Sequence, residues 1–275
     1  MDKLFLYDNG PSAMRLFQRP AIREVQRSQR FELAIACCAD DAVLFEDLVA
    51  TDTRLLVTRL PCSSSGALVD LRAWLPPEHT AIDLSLEAYE DTRSPQWKSV
   101  VTVLHRQLAA RGIDFRLAYD EAAVPMLDFV GAPTSEPLER PSIYLDTVRH
   151  RDVHCHFVVD HEHLLAALPE FDFRCTEPPP FADPRLVDDS HLDLRRRSWL
   201  SERCVALIGM TRTPFNATLT TANRWKPKVV CGYDPVSYPS FWDYQGNPLE
   251  YVETMDQLVQ FLLAALWRQT CSGRV

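Results

Sequence analysis

Glycine is scarce in this chain, with 8 residues in 275 against 20 prolines, so its turns are punctuated mainly by proline. The scarcity goes with missing glycine-built motifs. No first strand runs into GxGxxG, no GxxxxGK[ST] is present and GxSxG is absent. Dinucleotide redox chemistry, P-loop ATP hydrolysis and serine-elbow hydrolysis are therefore disfavoured, and Ser63–Gly66 is a weak substitute for an elbow. Basic charge is also short. The net charge is −9 and the pI about 5.4, which argues against a nucleic-acid groove. The 8 cysteines form no CxxC pair and several lie in apolar, strand-like runs, so the expectation is reduced, buried thiols in a cytoplasmic protein. Apolar runs stay short. The longest, Leu258–Trp267, reads as a buried or amphipathic helix and not as a membrane span. The opening MDKLFLYDNG has too brief an apolar stretch for a signal peptide and is interrupted by Asp8.

What is present is an ample apolar content, 46% hydrophobic against 24% charged, enough for one large core or two smaller ones. The pattern is strand, helix, strand, repeated. Lys3–Tyr7 is a strand closed by the turn Asp8-Asn9-Gly10-Pro11-Ser12, and a helix over about 13–30 follows, with a kink expected at Pro20. Further strands are expected at 31–38, 55–60, 81–86, 113–117 and 126–129, with a helix over 96–110 ended by Arg111-Gly112. The segment PTSEPLERP is linker-like, and after it the pattern restarts. Strands are expected at 142–145, 153–159 and 171–175, with helices over 162–168, 192–203 and 255–267. Alternation of this kind specifies an α/β fold with mostly parallel sheets in two consecutive halves, 1–138 and 139–275.

The densest stretch is Val205–Asp234. It reads as a buried strand, a polar turn opening on Gly209, a helix over about 216–225 and a second strand, Lys228–Cys231: a βαβ unit. Hydroxyls, Arg212 and backbone N–H groups gather where that helix is expected to begin, which favours an anion such as phosphate; the same Thr and Asn residues also serve simply as caps.

In parallel α/β sheets ligands sit beyond the C-terminal ends of the strands, so the strand-end loops carry the candidates. Asp8 closes the first strand, where a carboxylate can act as general base toward a hydroxyl, although an Asp before Asn-Gly is also a common turn former. Arg149 and Arg151 follow the first strand of the second half and suit a diphosphate, or else a solvated basic loop. Five of the 8 histidines fall between His150 and His163, a density that raises a metal site, but neither HExxH nor another metal signature accompanies them, and no metal is expected. Tyr233–Tyr251 interleaves aromatics with Asp and Gln, the composition of a sugar- or base-facing surface or of a loop packed on the core.

Residues about 140–267 resemble the C-terminal domain of GT-B-type glycosyltransferases. The features that carry the resemblance are IYLDTVRHR, FDFRCTEPP, LRRRSWLSERCVALIG, TRTPFNATLTTANRWKPK and the strand into CGYD. The resemblance implies two Rossmann-like domains facing a central cleft, with the acceptor on the N-terminal side and a nucleotide-sugar donor on the C-terminal side. It implies a metal-independent glycosyltransferase, with no cofactor beyond the co-substrate. Thr211, Thr213 and Asn216 would contact the donor phosphates, Arg149 and Arg151 would assist, and Tyr233 and Asp234 would complete the donor side. Asn9, Ser64 and Ser65 would face the acceptor, and Asp8 would stand where inverting members carry their base. The competing readings are an epimerase or hydrolase of the same architecture, a non-catalytic α/β binding protein, and a metal hydrolase built on the histidines.

Overall fold

The computed structural model describes residues 1–9, 15–58, 70–85, 96–117, 126–131, 138–146, 157–210, 213–232, 242 and 249–271. The chain divides into two compact units, Met1–Gly131 and Ala132–Val275.

In the first unit β1 (Asp2–Tyr7), β2 (Phe31–Cys38), β3 (Thr53–Thr58) and β4 (Thr80–Asp83) form a parallel sheet in the order β3-β2-β1-β4. Helix α1 (Arg15–Arg27) packs on β2 and helix α2 (Gln96–Ala109) on β4. Both faces of the central strands are buried, as parallel sheets require. Phe5, Tyr7, Ala34 and Ala36 meet Leu71 on one face, while Leu4, Leu6, Leu33 and Ile35 fall on the other by the two-residue alternation of a strand. The first half of α1 is unusual in burying three polar side chains, Arg15, Gln18 and Arg19, with Pro20 inside the helix just after them.

Two strands expected in this unit are absent; of the strand expected over 153–159 in the second unit, residues 157–159 lie in no strand and 153–156 are outside the described residues. Segment 126–129 gives its carbonyl groups to arginines instead of to a ladder: Leu127 O accepts from Arg19 Nε at 3.0 Å, and Asp128 O accepts from Arg23. Segment 113–117 follows the helix stop at Gly112, where φ is +72°, and docks by its side chains, with the Phe115 ring edge-on to Phe31 at 5.1 Å. Its amides are taken by Leu108 O and by the His105 ring.

The second unit holds β5 (Ser142–Leu145), β6 (Asp172–Cys175), β7 (Leu186–Asp188), β8 (Ala206–Gly209), β9 (Lys228–Cys231) and β10 (Leu249–Val252), all paired in parallel. Their order is β10-β9-β8-β5-β6-β7, the doubly wound arrangement in which the chain builds outward from β5 in one direction, returns, and builds outward from β8 in the other. Ile143, Leu145, Phe173, Ile208, Val229 and Val252 share one face with Leu164, Leu165 and Leu168 from α3 (His161–Ala167) and its C-terminus, and with Leu258, Leu262 and Leu266 from α6 (Met255–Cys271). Helix α4 (Leu194–Arg203) packs against β5.

The caps are those the sequence supplies. Asp160 accepts from His163 N, Asp193 from Arg196 N, and Thr254 and Gln257 bond each other's backbone at the start of α6 as a capping box. Among the described residues no helix is long and apolar enough to cross a membrane. Cys37, Cys175, Cys204 and Cys231 are buried thiols outside any disulfide, whereas Cys38 is disulfide-bonded, against the expectation of reduced thiols throughout.

Candidate active site

In a doubly wound sheet the crevice opens where neighbouring strands lead their connections to opposite sides. In the second unit that place is the C-terminal edge between β5 and β8. Asp146 follows β5 there, fully buried, with its N–H donating to Ile208 O at 2.8 Å and its Oδ1 accepting from Thr176 Oγ1 at 2.7 Å. Those two bonds fasten together the ends of β5, β6 and β8. Deeper in the same region Arg174 holds Asp189 by two parallel bonds of 2.7 and 2.9 Å.

Beyond β8 the chain does not form the expected helix over 216–225. Helix α5 (Thr213–Asn216) is a single turn, followed by hydrogen-bonded turns and a 3-10 turn at Thr221–Asn223. The threonines explain the difference. Thr218 Oγ1 donates to Phe215 O at 2.6 Å, and Asn223 Nδ2 donates to Thr218 O at 2.8 Å, so side chains take carbonyls that a helix would need. With one turn in place of about ten residues, the anion-holding helix N-terminus read from the sequence is lost as an argument. Gly209 likewise has a different role from the turn opener expected. It ends β8, and a Cβ there would lie 2.2 Å from the Phe215 ring, so glycine is needed for the close approach of that ring.

Thr213 opens α5 and Asn216 closes it. The Asn216 side chain is 8% exposed, and its buried Oδ1 has no hydrogen-bond partner. A buried amide oxygen without a partner normally accepts from something, and this one belongs to the turn that follows β8, one of the two strands that flank the switch point. The oxygen fits a hydroxyl donor; turned over, the same amide presents N–H to a phosphate oxygen.

Two lysines brace this segment from behind. Lys226 Nζ donates to Ser201 O at 3.1 Å and to Glu202 O at 2.5 Å, capping α4, while Lys228 Nζ donates to Arg224 O and Lys226 O at 2.9 and 2.7 Å and lies 4.2 Å from the centre of the Trp242 ring. Burial pushes the Lys226 amine down to about 8; burial and the neighbouring Lys226 push Lys228 down to about 7.

In the first unit the switch point lies between β1 and β4, and Asp8 occupies it. The carboxylate is 2% exposed. Gln18 donates from Nε2 to Asp8 Oδ2 and, at 3.3 Å, to Leu84 O at the end of β4; Arg15 donates to Asp8 O at 3.1 Å and pairs with Asp41. Burial raises the Asp41 carboxyl above its ordinary range, with Arg15 opposing the rise. A cavity of about 10 Å³ adjoins Asp8, lined by Tyr7, Arg15, Gln18, Phe45 and Leu84, which is room for about one water. Asn9 uses both ends of its amide on the next loop, donating to Asp70 at 3.1 Å and accepting from Leu71 N at 2.9 Å. Tyr7, beside it, bonds Asp83; burial first, and that carboxylate second, raise its phenol.

Sequence reasoning thus reached Asp8, Asn216 and the loop that Asp146 opens, but not Gln18 or Arg15, whose roles depend on partners distant in the chain. Ser64, Ser65, Arg149, Arg151, Thr211, Tyr233 and Asp234 lie outside the described residues, as do His150, His154 and His156. His161 and His163 sit on α3, and among the described residues no group of three His, Cys, Asp or Glu side chains is placed to hold a metal ion.

No family model matches the sequence, and no curated protein matches it either. Solved structures do. Escherichia coli heptosyltransferase WaaC, solved with ADP, matches with a TM-score of 0.57 at 10% identity, over 96% of this chain and 99% of that one. The dodecameric iron-containing heptosyltransferase TibC in complex with ADP-D-beta-D-heptose, from enterotoxigenic E. coli, matches with a TM-score of 0.52 at 15% identity, over 92% of this chain and 63% of that one. The fold is that of the GT-B glycosyltransferases. In GT-B terms the second unit is the Rossmann-like half in which the sequence resemblance was strongest.

Proposed function

We propose that this chain is a glycosyltransferase that moves a sugar from a nucleoside-diphosphate donor to an acceptor hydroxyl without a metal ion. The observation that carries the reading is Asn216: an amide nine-tenths buried, without a protein partner for its oxygen, in the turn that follows β8 of a GT-B fold. In this reading the second unit holds the donor through the turn after β8, with Thr211, Thr213 and Asn216 on the donor and Arg149, Arg151, Tyr233 and Asp234 supplementing them. The first unit takes the acceptor, with Asn9, Ser64 and Ser65 on that side and Asp8 as base. The ligands of the two matching enzymes, ADP and ADP-heptose, make an adenosine diphosphate donor the first to test. Stabilising the departing diphosphate is then the work of fixed dipoles and cationic side chains.

The test is a calorimetric panel of ADP, UDP, GDP and CDP, each with and without EDTA. Binding of one diphosphate, unchanged by EDTA, is the expected result; binding lost with EDTA removes the metal-independent part, and no binding of any removes the whole reading. A second reading, a binding protein with this fold and without turnover, is favoured by the burial of Asp8 and by its bond to Gln18. Donor binding without transfer to any acceptor, together with an Asp8→Ala variant that binds donor like the parent, would mark that case.

A further inference from the structure

Tyr144 stands in the middle of β5 with no exposure to solvent, at a position where a phenylalanine would fill the same space. A phenol is costly to bury unless its hydroxyl has a partner. Its partner lies in the crossover that follows β8: Tyr144 Oη donates to Pro214 O at 3.1 Å. The carbonyls of α5 after Thr213 are accounted for in order. Pro214 O takes the phenol, Phe215 O takes Thr218 N and Oγ1 at 3.0 and 2.6 Å, and Asn216 O takes Leu219 N at 3.1 Å. At its far end the turn is held by Trp242, whose indole N–H donates to Thr218 Oγ1 at 3.2 Å. The turn is therefore tied to the sheet by a side-chain bond from one strand residue, Tyr144, and to the later loop by Trp242, in addition to the Asn223 bond to Thr218 O and the packing of Phe215 on Gly209.

We infer that Tyr144 is a positioning residue for the donor. By holding Pro214, it fixes where the Asn216 amide stands relative to the β5/β8 switch point. The inference rests on the reading of this turn as the donor contact. Phe215 packed on Gly209 sets the height of the turn above β8, but a ring on a glycine leaves sliding and rotation open. The bond to Pro214 removes that freedom. Asp146, Asp189, Arg197 and Cys204 are the ionisable groups around the phenol, and burial keeps it protonated, so it remains a donor at any working pH.

The experiment compares the parent protein with Y144F and with T218V, which loosens the same turn from its other end. Two readouts are taken: amide hydrogen exchange over residues 213–219 without ligand, and calorimetric affinity for ADP and for adenosine. The expected result is faster exchange confined to the turn and an ADP affinity about three- to tenfold weaker in Y144F, the worth of one neutral hydrogen bond, with adenosine affinity unchanged. Unchanged exchange in Y144F overturns the inference and leaves the donor reading standing. An equal loss for ADP and adenosine with a general fall in melting temperature also overturns it, because that is the signature of damage to the sheet. Failure of the parent to bind ADP or any other nucleoside diphosphate overturns the donor reading itself, and the inference with it. Should Y144F not fold, T218V decides by the same criteria.

Discussion

Arg19 and Asp47 meet in two parallel bonds of 2.7 and 2.6 Å, with no part of the Arg19 side chain exposed to solvent. The pair is also tied to its surroundings. Asp47 Oδ2 accepts from Val130 N at 2.7 Å, and the guanidinium lies 4.1 Å from the centre of the Phe129 ring. Removing one partner leaves an uncompensated buried charge. Asp47→Ala is expected to cost about 3–5 kcal/mol in urea unfolding, with exchange at 126–130 accelerated most. A loss below about 1 kcal/mol, the range of an exposed pair, would show that the arginine finds water.

The ring of Phe215 occupies the space above Gly209. Gly209→Ala should therefore destabilise by about 1–3 kcal/mol through overpacking. Phe215→Ala removes the clash, so the double variant should be more stable than the sum of the single effects predicts. Strict additivity would mean that the ring simply moves away.

The two buried amines predict a pH dependence of definite sign. Lys226 and Lys228 titrate at about 8 and about 7 in the folded chain, below the ordinary lysine value of 10.5, so between roughly pH 7 and 10 the unfolded chain binds more protons. Their contribution to stability is complete above the unfolded value and is lost as pH falls through the folded ones. Relative to Lys228→Met, the parent should gain stability as pH rises from 7 to 9. The comparison is made against Lys228→Met because the thiols of Cys37, Cys175 and Cys204, pushed up to about 12 mainly by burial, act oppositely as pH rises through 9 and are common to both proteins. A flat difference across pH 7–9 would show that Lys228 is solvated.

Asp8→Asn separates structure from chemistry, since the amide oxygen can still accept from Gln18. Transfer should fall by about 10²–10⁴-fold, the usual worth of a general base, while donor affinity and melting temperature stay near those of the parent. Full activity would assign Asp8 to the fold alone.

The regular elements with strong periodicity were legible: β2, α2, β5 and α6 lie within a few residues of where apolar spacing puts them. The edge strands β7 and β10 were not, because three or four residues at a sheet margin bury only alternate side chains and carry little signal. Segments 113–117 and 126–129 misled for the opposite reason, since Phe115, Leu127 and Phe129 are buried while the backbone groups of these segments bond to His105, Arg19 and Arg23. Asp8 and Asn216 could be named from their places at strand ends. Their supporting residues could not, because the Gln18–Leu84 and Tyr144–Pro214 bonds join residues 66 and 70 positions apart. Nothing local distinguishes Tyr144 from another apolar strand residue.

The strand order of the second unit has a consequence for how the chain comes into being. β5 is the first strand of that sheet to be synthesised and lies at its centre, yet one of its two neighbours, β8, is made only after β6, β7 and α4. Until residue 209 has emerged, Ile143, Tyr144 and Leu145 present one open, apolar margin to whatever else is near. Newly made chains truncated before β8 should therefore associate readily and draw on chaperones, and slow translation through α4 should lower the yield of soluble protein more than slow translation after β8.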